Sequence, residues 1–318
     1  MIRVLLALLP GFLLLAYFYG AGIVLNVIFA MLFSLLIEVA ALKFRDLPLN
    51  TIKDGSALLT GALLGLALPP YLPLWMILTG CVFAIIFAKH IYGGLGQNLF
   101  NPAMVGYAVL IISFPLALSD WPVTESISYS PIDTLSIKLG LPNAGSPMID
   151  SYTGATPLDE FKFRGSLTVD EFWNKFGSDH WLMWMKVNIG FLVGGLYLLF
   201  AGVCTWKAPV SMLATLCILS VVFFDNGSSE SLGSPLFHLF TGATMMGAFF
   251  IVTDPVTSPD SNRGQIIFGM GVGLLTFIIR VTGAYPEGIA FAILLMNGCS
   301  PLTDYIEFRI KPKWGRSI

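Results

Sequence analysis

Esterification needs a hydroxyl that an enzyme can reach, and one segment of this chain offers it. The run Asp150-Ser151-Tyr152-Thr153-Gly154-Ala155-Thr156-Pro157-Leu158 is small, polar and turn-prone. Gly154 and Ala155 leave room around the Thr156 hydroxyl, and Pro157 limits helical continuation beside it. A phosphoester on Thr156 is the chemistry this segment suits; an ordinary loop turn is the plain alternative. A second T-G-A-T, Thr241-Gly242-Ala243-Thr244, serves as an internal control. Three residues before its first Thr stands His238, where the first copy has Asp150, and its flanks Leu239, Phe240, Met245 and Met246 are apolar. That copy reads as small-residue packing inside a membrane helix, where Gly, Ala and Thr let backbones approach closely.

Other residues with chemical potential are sparse. Glu38, Asp54 and Asp254 sit in or at the edges of apolar runs, where an ionisable group draws functional suspicion; interfacial positions and helix starts suit them equally. Nothing in the sequence marks an ion path. His90, His180 and His238 are isolated and read as structural. Cys81, Cys204, Cys217 and Cys299 are scattered through apolar segments, with no C-x-x-C and no metal spacing, and read as buried thiols. In the segment from Lys89 to Ala103, Gly93, Gly94 and Gly96 each weaken a helix by about 1 kcal/mol relative to Ala. Asn98 and Asn101 there, and Asn297 later, are costly in lipid unless paired.

Composition sets the frame for these residues. The chain is 56% hydrophobic and 11% charged, with a mean hydropathy of +0.80. A soluble domain carries about 25% charged residues, so this reads as an all-α polytopic membrane protein. The net charge of −2 and the lack of a basic cluster before the tail exclude a nucleic-acid partner. A spanning helix takes about 20 apolar residues. Ten segments are candidates: 2–19, 22–42, 55–69, 73–89, 102–119, 181–200, 208–224, 236–252, 265–281 and 288–303. The first could imitate a signal peptide, but a second apolar run follows at once, and it is read as a retained helix.

The interruption at 120–180 differs from every other loop. It carries nine acidic and four basic residues, and it holds Thr156. Lys43, Arg45, Lys53, Lys89, His90, Lys207, Arg263 and the basic tail from Arg309 to Arg316 fall on one side of ten spans, with Arg280 the exception. The positive-inside rule makes that side cytoplasmic, with both termini, and the 120–180 loop extracytoplasmic. Leu58-Leu59-Thr60-Gly61-Ala62 resembles Leu239-Phe240-Thr241-Gly242-Ala243, and each precedes a Pro-punctuated break. Residues 1–119 and 181–318 therefore read as two inverted five-span repeats, a plan common in channels and transporters.

The pattern D-x-x-[ST]-G-A-[ST] resembles the acceptor signal of ApbE-type flavin transferases, which join FMN through its phosphate to the last Ser or Thr. On that resemblance Thr156 is the acceptor, and Asp150, Thr153, Gly154 and Ala155 are read by the transferase. With the ten spans and the run Lys89-His90-Ile91-Tyr92-Gly93-Gly94-Leu95-Gly96-Gln97-Asn98-Leu99-Phe100-Asn101-Pro102-Ala103, the whole chain resembles the NqrB/RnfD family. NqrB proteins begin with a longer cytoplasmic extension, so the branch formed by the RnfD proteins of Rnf complexes fits better. The resemblance implies a urea-transporter-like fold in a bacterial or archaeal inner membrane and a covalent FMN. It also implies a complex that couples ferredoxin:NAD electron transfer to sodium or proton export. A second flavinylated subunit and iron–sulfur subunits would be partners, since this chain has no G-x-G-x-x-G on a βαβ unit and no cluster cysteines. It further suggests Asn98, Asn101 and Asn297 as candidates to line a second, noncovalent flavin such as riboflavin, with contacts at helix breaks as the alternative. Lys162 and Arg164 are candidates to stabilise a reduced flavin or its phosphate, with solvated loop charges as the alternative. Two rival functions stand: the NqrB subunit of a sodium-pumping NADH:quinone reductase, and a urea- or ammonium-like channel with an accidental T-G-A-T.

Overall fold

Backbone groups of a long apolar run find no water to pair with in lipid, so such runs become helices. The computed structural model describes residues 1–122, 130–141, 153–285 and 287–310 and is mostly helical. Asp150 lies outside the described residues. Helix α1 spans Ile2–Tyr19 and α2 Ala21–Phe44; α3 is Ser56–Ala67. Helix α4, Leu74–Val82, runs on as a π-helix, Phe83–His90. Then come α5, Pro102–Ser113, and α6, Pro115–Ser119. The loop region holds strand β1 (Trp121–Pro122), α7 (Pro131–Lys138), β2 (Thr153–Gly154), α8 (Pro157–Lys162) and α9 (Val169–Phe176). Helices α10 (Asp179–Phe200), α11 (Lys207–Val222) and α12 (Pro235–Phe240) follow. Helix α13, Thr244–Met246, runs into a second π-helix, Gly247–Ile251, and α14 (Asn262–Thr282) and α15 (Ile289–Ile310) close the order.

Among the described residues four helices, α1, α2, α10 and α14, are long and apolar enough to cross a membrane, and five shorter apolar helices accompany them. This is a multi-pass membrane protein. The short apolar helices are edged by prolines and glycines, as expected from the sequence. The expected span 236–252 is not one helix, which corrects the reading of the second T-G-A-T as a packing face. Thr241 is extended at φ −117°, Gly242 has φ 61°, and helix resumes only at Thr244. Glycine enters the left-handed region freely, so the break falls there. The all-α expectation also yields at one point. Strands β1 and β2 pair antiparallel, with Trp121 opposite Gly154 and Pro122 opposite Thr153.

Small residues set how closely the helices meet. A Cβ on Gly194 of α10 would lie 1.9 Å from the Ala7 carbonyl oxygen of α1. Gly61 and Gly65 of α3 press on the α2 backbone in the same way, and Gly269 and Gly273 of α14 on α11. One apolar core runs through both halves. A smaller cluster of Leu158, Phe161, Val169, Phe172 and Phe237 seats α8 and α9 on α12. Only Cys81 is buried; Cys204 and Cys217 are half-buried and Cys299 is exposed. The expectation of four buried thiols fails because a membrane helix is apolar on its outer face too.

Candidate functional site

Among the described residues, helix ends converge around a cavity on each of two faces. On the face carrying the 120–180 loop, a cavity of about 70 Å³ is lined by Ala67, Tyr107, Trp121, Thr156, Leu158, Trp184, Thr241–Ala243 and Glu287, among others. The β1–β2 pair brings Thr156 to its mouth. Thr156 is half-buried and is the N-cap of α8. Its hydroxyl lies 3.4 Å from both the Asp159 amide nitrogen and Asp159 Oδ2, long contacts that hold it loosely. Burial raises the Asp159 carboxyl above its ordinary range, with the Thr156 hydroxyl and Lys162 opposing. Of the other motif residues, Gly154 is half-buried and Ala155 exposed, while Thr153 sits in β2.

The opposite wall is the broken helix between α12 and α13, and a polar network inside the fold holds it open. Asn188 of α10 donates through Nδ2 to the carbonyls of Phe240 and Gly242 at 3.1 and 2.9 Å, and its Oδ1 accepts the Met245 N–H. Arg280 of α14 donates to the His238 and Thr241 carbonyls and the Thr244 hydroxyl. It also pairs with Glu287 at 2.9 Å. Glu287 in turn accepts the N–H groups of Ala243, Gly288 and Ile289. These groups satisfy the helix-end donors and acceptors that a break leaves orphaned in an apolar interior. Sequence reading does not find Asn188, Arg280 and Glu287 as a unit. Its one signal is Arg280, an arginine inside an apolar run that breaks the topology count.

Does this cavity fit an aromatic cofactor on Thr156? The Thr241 hydroxyl lines it, is fully buried and has no hydrogen-bond partner. Tyr107, Trp121 and Trp184 supply aromatic walls. The enclosed space is less than half the ~150 Å³ of a benzene-sized cavity. It therefore accepts an edge of a tricyclic ring, and a whole ring requires side chains at the mouth to move. The second T-G-A-T offers no reachable hydroxyl. The Thr244 hydroxyl is fully buried and donates to the His238 and Thr241 carbonyls at 2.9 and 2.8 Å.

Lys162 and Arg164 turn out to be tied to backbone. Lys162 donates to the Gly283 carbonyl. Arg164 donates to the carbonyls of Phe161, Leu167, Ser229 and Ser231 and stacks over Phe161 at 4.0 Å. Neither is a freely solvated charge, because the loop packs on the carbonyls of Ser229, Ser231 and Gly283 as well as on its own. Helix α7 makes a further unforeseen contact. Lys138, 1% exposed, donates to Asn26 Oδ1 and the Leu72 carbonyl. Asn26 donates to the Leu68 and Pro69 carbonyls at the end of α3. Burial lowers the Lys138 pKa to about 7.

At the face carrying Met1, a larger cavity of about 240 Å³ is lined by Ser56, Lys89, Asn98, Asn101, Phe249, Thr253 and Asp254, among others. Asn101 caps α5 through the Met104 N–H, and its amide donates to Asp254 at 3.2 Å. Its own N–H donates to Asn297 at 3.1 Å, and Asn297 donates to the Thr257 carbonyl. The structure thus brings Asn101 and Asn297 together, and Asn98 presents a buried, unpartnered Oδ1 nearby. Lys89, read as a loop cation, is instead buried, 2.7 Å from Glu38 and 2.8 Å from the Ser56 hydroxyl. The π-helix carries it inward to α2. His90 lies 3.2 Å from Glu38 Oε2. Among the described residues no three or more of His, Cys, Asp and Glu form a metal-binding group.

A multi-pass helical scaffold with a loop threonine at the mouth of an apolar cavity is the class these features define. Residues 1–311 match the family described as NQR2, RnfD, RnfE, and the chain belongs to it. It is 50% identical over 309 residues to the D subunit of the ion-translocating oxidoreductase complex of Ectopseudomonas mendocina (strain ymp), covering 96% of this chain and 88% of that protein. Proteins of the same description from Cellvibrio japonicus (strain Ueda107) and Erwinia tasmaniensis are each 46% identical, covering 96% of this chain and 88% and 91% of theirs.

Proposed function

We propose that this chain is the electron-carrying membrane subunit of a redox-driven ion pump, with FMN esterified through its phosphate to the Thr156 hydroxyl. The observation that carries the reading is the contrast between two identical tetrapeptides. The Asp150-framed copy ends in a loosely held threonine at a cavity mouth, whereas the other buries its hydroxyl. The relatives, each described as part of an ion-translocating oxidoreductase complex, support it. Bound there, FMN would supply one- and two-electron chemistry, and the protein's part is positioning and electrostatics. Thr156 would hold the phosphate, the Thr241 hydroxyl would offer the ring a polar partner, and Tyr107, Trp121 and Trp184 would exclude water. A covalent link suits a flavin beyond the cytoplasmic pool that could replace it.

In this reading the complex couples ferredoxin:NAD electron transfer to sodium or proton export, and this chain alone completes no reaction. Other subunits, one of them flavinylated and others holding iron–sulfur clusters, deliver and collect the electrons. An ApbE-type transferase matures Thr156. The two halves form inverted five-helix repeats in a bacterial or archaeal inner membrane, with the loop outside and the termini in the cytoplasm. The Met1-side cavity, with the free Asn98 Oδ1 and the Asn101–Asn297 contact, suits a second, noncovalent flavin such as riboflavin. The NqrB reading keeps the same flavin chemistry and differs in partners, which co-purification distinguishes.

Expression with the transferase, followed by in-gel fluorescence of the denatured band, tests the assignment. Thr156→Ala should abolish the covalent fluorescence while the protein still inserts, and Thr244→Ala should retain it. Fluorescence surviving in Thr156→Ala would overturn the assignment, and a wild-type band with no flavin would favour the channel reading.

A further inference from the structure

We propose that the Arg280–Glu287 pair sets the reduction potential of the flavin on Thr156, each member shifting it in the opposite direction. The proposal rests on flavin attachment at Thr156 and adds an electrostatic role for two residues that the motif does not contain.

The pair is placed asymmetrically about the cavity. Glu287 lines it together with Thr156, and Arg280 does not line it. The Arg280 side chain is only 1% exposed and that of Glu287 13%. A carboxylate therefore faces the cavity with its counter-cation behind it. Charges largely withdrawn from water act more strongly than in water. Each electron added to an isoalloxazine ring without a proton adds one negative charge. A facing carboxylate opposes that charge, and a guanidinium favours it.

Each member stays where it is when the other's charge is removed. Without the Glu287 charge, Arg280 is still held by the His238 and Thr241 carbonyls and the Thr244 hydroxyl. Without Arg280, Glu287 still accepts the N–H groups of Ala243, Gly288 and Ile289. A third observation fixes the carboxylate against the break. A Cβ built on Gly242 would lie 1.9 Å from Glu287 Oε2, so the bare backbone there is what lets the carboxylate reach the wall. Both are positioning residues; neither is assigned a proton transfer.

The test uses the full-length chain, flavinylated by co-expressed transferase and purified in detergent. Its midpoint potential is read by spectrophotometric titration with dithionite. Glu287→Gln, which keeps the shape, should shift the potential upward, because Arg280 is left uncompensated. Arg280→Gln should shift it downward. The double variant should return close to wild type, a pattern that simple loosening of the fold would not give. If Arg280→Gln does not fold, Glu287→Gln alone decides the matter by the sign of its shift. An unchanged or lowered potential in Glu287→Gln, with covalent fluorescence intact, would overturn this inference while leaving attachment at Thr156 standing. Loss of the premise would show separately, as covalent flavin persisting in Thr156→Ala.

Discussion

Lys138 illustrates what a single side chain does in this fold. It reaches from α7 in the loop to the carbonyl-rich end of α3, with Asn26 completing the contact. Docked, it titrates near 7; free, near 10.5. Between these values the undocked helix holds a proton that the docked one lacks, so docking strengthens as pH rises from 7 towards 10.5 and is flat below 7. Thermal unfolding of the wild type should therefore gain stability on going from neutral to alkaline pH relative to Lys138→Met. Parallel pH profiles for the two proteins would refute the buried titration. Thr156 stands out as a candidate in the sequence because its signal is local, five specified positions in seven. The partners of Lys138, Lys89 and Arg280 are not, because each cation meets its acceptors only once distant segments pack.

At the scale of elements, the apolar runs foretell most of the helices, since length and hydropathy alone force them. The broken helix at Thr241–Ala243 is hidden for a physical reason. Thr, Gly and Ala are as compatible with a packed membrane helix as with a kink, and only Asn188, Arg280 and Glu287 decide between them. Gly242→Ala should cost about 1–3 kcal/mol, because its left-handed backbone and the contact with Glu287 both oppose a Cβ. A lowered melting temperature of the detergent-purified chain would register it, and wild-type stability would argue against the kink. Gly194→Val should do more, since it drives a side chain into the α1 backbone. The expected readout is loss of monodisperse protein on size-exclusion chromatography, and recovery at wild-type yield would contradict the α1–α10 contact.

For the molecule as a whole, the two cavities lie at opposite ends of the helix set and share one wall. The chain from α12 to Val256 contributes Thr241–Ala243, Met246 and Ile251 to the first and Phe249, Phe250 and Thr253–Val256 to the second. The direction of insertion is predicted by Lys43, Arg45, Lys53, Lys207 and Arg263, which gather at the Met1 face. In a background without native cysteines, Leu141→Cys should react with a membrane-impermeant maleimide in intact cells, and Lys53→Cys only after permeabilisation. The reverse pattern would invert the topology. Lys89 and Arg280, both buried in ion pairs, carry no weight in that assignment, although a sequence count includes them.

The buried copy of T-G-A-T has a consequence for biogenesis. A modifying enzyme that recognised the tetrapeptide alone would meet two targets in the nascent chain and one in the finished fold, because Thr244 vanishes behind Arg280 when α12 and α13 close. For such an enzyme the order of events would substitute for the longer Asp150-framed code, with insertion and folding first and labelling second. A chain stalled before that closure would display the wrong threonine, and mislabelling at Thr244 would serve as a molecular timestamp of premature encounter.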